Sequence, residues 1–111
     1  MDQVEQYRTV IQQVLSDYAG IPYANLDLTT QTVFDLNNDH YLLVNVGWQG
    51  SRYIHTCIVH IDIQDNKIWI QRDNTEAGIA LDLEDAGISP QNIVLGFREP
   101  HLRPHTGYAV A

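Results

Sequence analysis

The chain has 111 residues, with 14 Asp and Glu against 6 Lys and Arg, so its formal net charge is -8. One domain is expected at that length, hiding roughly 65% of its unfolded surface, and at 44% apolar and 18% charged it is neither disordered nor fibrous. Scarce Lys and Arg argue against direct nucleic-acid binding by this chain alone, the acidic balance argues against an anionic membrane surface, and the lone Cys57 excludes an internal disulfide.

The start, Met1-Asp2-Gln3-Val4-Glu5, is acidic where a signal peptide is basic and then apolar. No stretch approaches the roughly 18 apolar residues of a spanning helix. A soluble, cytoplasmic protein is expected. Val4, Tyr7, Ile11, Val14, Leu15 and Tyr18 then fall on one stripe at 3.6 residues per turn, with Glu5, Arg8, Gln12, Gln13 and Asp17 opposite. Asp2 is positioned as N-cap with Glu5 three residues on. Gly20, as a left-handed terminal residue, and Pro22 end this helix.

Period-two alternation follows. Residues 32–36, 40–48, 53–64 and 67–71 read as strands, separated by the turn formers Asn37-Asn38-Asp39, Gly47 and Gly50, and Asp65-Asn66. Four strands on short turns make an antiparallel meander. One face collects Phe34, Leu36, Leu42, Val44, Val46, Trp48, Val59, Ile61, Ile68 and Ile70, and the first helix is expected to cover it. The other face offers Val33, Tyr41, Leu43, Ile54, Ile58 and Trp69, too apolar for a face left to water. Its cover is expected from the C-terminal elements first, and otherwise from another molecule.

Asn74 or Thr75 is positioned to cap a second helix through Ala86, with Gly87 as its stop. Ser89-Pro90 starts a short helical turn. Residues 93–97 are a strand or a buried extended segment, and the two prolines in residues 98–105 point to an irregular tail. The fold class is therefore α+β in a single domain over residues 1–111. It comprises an N-terminal amphipathic helix, a four-stranded antiparallel meander sheet, a second helix, a short helical turn and an extended C-terminal segment.

Chemistry-bearing patterns are sparse. His55 and His60 lie an odd interval apart on one strand, hence on opposite sides of the sheet, and Pro104 spoils the helical spacing of His101 and His105. No metal site, cofactor or catalytic residue is expected. Cys57 sits mid-strand among apolar residues, where a thiol is ordinarily a small hydrophobe. Asp39 and His40 form a weak alternative polar site, which a small enzyme or ligand-binding domain would combine with the 98–105 segment. The stronger feature is a charge contrast. Asp82, Glu84 and Asp85 precede the cationic Arg98, His101, Arg103 and His105, and together with Ile54, Ile58 and Trp69 they form a candidate partner surface.

The run Asp39-His40-Tyr41-Leu42-Leu43-Val44-Asn45-Val46-Gly47-Trp48, followed by His60-Ile61-Asp62-Ile63 and Lys67-Ile68-Trp69-Ile70-Gln71, resembles the XisI family. These are the fdxN element excision controlling factors of heterocyst-forming cyanobacteria. Asn74-Thr75-Glu76, Ile93-Val94-Leu95-Gly96-Phe97, Thr106-Gly107-Tyr108-Ala109-Val110-Ala111 and Tyr7-Arg8 continue the likeness along nearly the whole chain. The resemblance implies a non-catalytic accessory protein, required with a nuclease-fold companion called XisH for developmentally timed excision by a separate recombinase. On that reading the chain binds a XisH-like protein and masks or tunes its basic nucleic-acid surface. A homo-oligomeric module with Ile54, Ile58 and Trp69 at its contact is the other reading.

Overall fold

Asp2 caps the first helix, α1 (Gln3–Ala19), by accepting the Glu5 N–H at 2.8 Å. The computed structural model describes residues 2–23 and 27–111. Tyr7, Ile11 and Leu15, spaced four apart, are the buried residues of α1. Gly20 closes the helix in a right-handed conformation, φ -76°, so the expected left-handed terminus is not used and Pro22 is the breaker.

Strands β1 (Asp27–Asp35), β2 (His40–Gln49), β3 (Arg52–Gln64) and β4 (Lys67–Asp73) form the antiparallel meander. Asp65 and Asn66 both take positive φ in the β3–β4 turn, the conformation a two-residue hairpin demands. The sheet is not purely antiparallel. A fifth strand, β5 (Ile93–Leu95), pairs parallel to β4, which makes a five-stranded mixed sheet in the order β1-β2-β3-β4-β5. A parallel neighbour requires a crossover, and here that crossover carries α2 (Ile79–Asp85), followed by a 3-10 turn at Pro90–Asn92. The second helix starts later than its polar flank suggests. Asp73 rather than Asn74 or Thr75 organises its entry, accepting the Thr75 N–H at 2.9 Å and the Ile79 N–H at 2.7 Å. The tail is not irregular either: Pro100–His105 forms a 3-10 helix, whose looser bonding tolerates Pro104.

Helices cover one face of this sheet. Ile79, Ala80 and Leu83 of α2 join Tyr7, Ile11 and Leu15 of α1 over Tyr41, Leu43, Val59, Ile61, Ile68 and Ile70. The expected face was right for β4 and for β3 from Val59 onward, inverted for β2, and wrong for Ile58, which joins the core. Residues 36–39 form the β1–β2 turn, so Asp35 pairs with His40 and Phe34 with Tyr41. Cross-strand partners share a face. Phe34 packs against the core, so Tyr41 and Leu43 face inward and Leu42, Val44, Val46 and Trp48 face outward.

At Gly47, φ is +146° and the β1 backbone comes very close. A β-carbon there would press into the Asp27 carbonyl oxygen and lie 3.0 Å from the Leu28 Cα. Gly47→Ala is expected to destabilise by about 2 kcal/mol, combining overpacking with backbone strain. Urea unfolding midpoints of the two proteins check this.

Candidate functional site

One irregularity decides what the outer face of the sheet displays. Between β2 and β3 the register slips, so Leu43 pairs with Val59 but Val44 pairs with Cys57, leaving Ile58 as the extra residue of a β-bulge. Beyond the bulge the parity of β3 is reversed. His55 pairs with Val46 and His60 with Leu42, so both histidines lie on the outer face despite their odd spacing. The sequence expectation that they diverge is overturned by the bulge. Cys57 moves to the outer face too, where burial raises its thiol pKa and its Sγ donates to the Val59 carbonyl at 3.3 Å.

The outer face is only partly covered. Arg103 lies over Trp69, its guanidinium carbon 5.3 Å from the ring centroid, and Val94 bridges to Ala109, so the C-terminal segment shields the β4–β5 flank. Over β1 to β3 the cover stops. Val33, Trp48 and Tyr53 are 50%, 48% and 54% exposed, and Leu42, Val44 and Val46 between them are half-buried. Trp48 and Tyr53 stack edge to face at 5.0 Å.

At one end of this face lies a polar cluster. Asp62, 6% exposed, receives His40 Nδ1 at 2.6 Å and His60 Nε2 at 2.8 Å on Oδ1, and Gln71 Nε2 at 3.3 Å on Oδ2. An ionised carboxylate only accepts, so both imidazole nitrogens donate. Burial works to raise the Asp62 pKa, but the two histidine bonds prevail and hold it below its ordinary 3.8. The Asp62 bond in turn raises His40 above its ordinary 6.5. For Asp62 the stabilisation is complete above 3.8 and lost as pH falls through its depressed value. For His40 it is complete below 6.5 and lost as pH rises through its elevated value. The stability difference between wild type and His40→Ala should therefore be greatest between pH 3.8 and 6.5 and shrink on both sides. Urea unfolding across pH 3 to 9, as about seven points, checks this.

The sequence-derived candidates are dispersed. Asp39 and His40, neighbours in sequence, serve different partners. His40 joins Asp62, whereas Asp39 takes the Arg8 guanidinium at 2.8 and 3.1 Å and the buried Tyr41 hydroxyl at 2.9 Å. The Arg8 bond chiefly holds the Asp39 carboxyl below its ordinary range. This clamp ties α1 to the β1–β2 turn. Asp82 and Asp85 line an open groove of about 370 Å³ with Asp17, Val14, Tyr18 and Ile21. Glu84 turns away and accepts the Tyr108 hydroxyl at 2.7 Å, and burial together with that carboxylate pushes Tyr108 up to about 12.

Arg98 stacks on Phe97, the exposed His101 pairs with Glu99, and Arg103 anchors on the Arg98 and Gly96 carbonyls. His105 is exposed and Ile54 half-buried opposite Gly47. Ile58, at 7% exposure, belongs to the core and is unavailable to a partner. Trp69 is half-buried under Arg103. The His40–Asp62–His60 cluster escaped sequence reasoning. Its signal was His60-x-Asp62 at strand spacing, with His40 reachable only once the β2–β3 register is known.

Among the described residues no helix is long and apolar enough to cross a membrane. The family model described as XisI protein matches residues 1–110. A XisI-like protein from Anabaena variabilis ATCC 29413, known from its crystal structure, is 36% identical, with 99% of this chain and 100% of that one covered at a TM-score of 0.87. The fdxN element excision controlling factor XisI from the same organism is 32% identical, with the same coverage and a TM-score of 0.82. No curated protein matches.

Proposed function

The chain belongs to the XisI family, and from that premise we propose that it is a non-catalytic controlling factor for site-specific DNA excision, acting by binding a XisH-like companion. The observation that carries this reading is the outer sheet face over β1 to β3, where Val33, Trp48 and Tyr53 are about half exposed beside Leu42, Val44 and Val46. Apolar patches of this kind on a folded chain mark protein contacts. The net charge of -8 selects the partner: a protein whose nucleic-acid surface is basic is drawn to it and masked by it. The acidic groove at Asp17, Asp82 and Asp85 adds negative charge to the helical side.

Co-purification and calorimetry with the XisH-like companion test this directly. A one-to-one complex at micromolar concentration is expected, weakening as salt rises. The absence of any complex at that concentration sinks the proposal. Light scattering on the chain alone distinguishes the other occupant of this face, a second copy of the same chain.

A further inference from the structure

We propose that His40, His60 and Asp62 form a binding site for a divalent transition-metal ion of the zinc class. The proposal is independent of the companion, because all three groups belong to this chain and are positioned by its sheet. His60 and Asp62 alternate on β3 and so point to one face, and His40 stands directly opposite Asp62 in β2. One ligand atom from each lies within 4.8 Å of the others. Asp62 is buried, and Gln71 holds its second oxygen at 3.3 Å, the kind of outer hydrogen bond that orients a ligating carboxylate.

Side-chain adjustment of the two imidazoles is enough to bring the three ligand atoms to a common metal. Zinc ligands at about 2.0–2.1 Å in tetrahedral array stand about 3.3 Å apart. Here the two nitrogens lie 2.6 and 2.8 Å from the Asp62 oxygen, and all three atoms lie within 4.8 Å of one another. Each imidazole therefore retreats from the oxygen by about half an ångström and the two rings close toward each other, while the two N–H protons pass to solvent or to the other ring nitrogen. His40 is exposed and His60 half-buried, leaving both rings room to move. Two imidazoles favour zinc, cobalt, nickel or copper over magnesium or calcium. Three protein ligands leave a fourth position open toward solvent on the outer face. Asp35, paired with His40 across β1 and β2, adds negative charge at the rim.

The test uses the untagged chain alone, titrated calorimetrically with Zn²⁺ and spectroscopically with Co²⁺. One ion per chain at micromolar free metal is expected, with the intense visible bands of four-coordinate cobalt. His40→Ala and His60→Ala should each weaken binding at least about 30-fold, whereas His101→Ala and His105→Ala should leave it unchanged. Melting curves confirm that the variants are folded. Absence of saturable binding below about 1 mM, equal binding by the His40 and His60 variants, or loss in the His101 or His105 variants overturns the site.

Discussion

Ile61→Ala is expected to lower the unfolding free energy by about 4 kcal/mol. Ile61 is fully buried, paired between Tyr41 on β2 and Ile70 on β4, beneath the face that α1 and α2 cover. Removing three carbons there takes away their transfer free energy and leaves a cavity that rigid cross-strand neighbours cannot fill. For a domain of this size the loss corresponds to a fall in Tm of about 15 °C or more. Paired variants on β2 sharpen the result. Leu43→Ala should cost about 3 kcal/mol, and its neighbour Val44→Ala less than about 1 kcal/mol, because only the first points into the core. Chemical denaturation of the three variants decides it. Equal losses at positions 43 and 44 would contradict the register that places β2.

The inversion of β2 shows where sequence reasoning loses its hold. Tyr41, Leu43 and Asn45 on one side of β2 and Leu42, Val44 and Val46 on the other are both apolar enough to be the core side. Hydrophobic alternation alone cannot choose between them. The choice is made by the turn after β1, whose residues 36–39 set the parity of every pair that follows. The bulge at Ile58 is invisible for the same reason, since a bulge is a mismatch between two strands and belongs to neither sequence alone. It carries Cys57 and His55 to the outer face. Where local chemistry sufficed, the reading held: the Asp2 cap, the α1 stripe and the Asp65-Asn66 turn depend on neighbours within a few residues. β5 was recognisable as an apolar extended segment, but its parallel place beside β4 depends on a crossover. The Arg8–Asp39 clamp and the His40–Asp62–His60 cluster join residues 31 and 22 positions apart, so their partners emerge only with the sheet.

The largest functional effect is expected from the double variant Val44→Lys/Val46→Lys. Both side chains are half-buried on the outer face, paired with Cys57 and His55, and neither belongs to the core cluster. The variant should therefore stay folded, with Tm changed by only a few degrees. Binding to the proposed XisH-like companion should weaken at least about 100-fold. Two valine surfaces no longer gain from leaving water, and two ammonium groups must be desolvated against a basic partner. Sign matters as much as polarity here. Val44→Glu/Val46→Glu removes the same apolar area but presents carboxylates to that basic surface, so it should lose less affinity than the lysine pair. Calorimetric titration of both variants against the companion, with circular dichroism to confirm folding, provides the comparison. If the lysine pair binds like wild type while Asp82→Lys/Asp85→Lys abolishes the complex, the companion sits on the acidic groove between the helices and the outer face is free for another occupant.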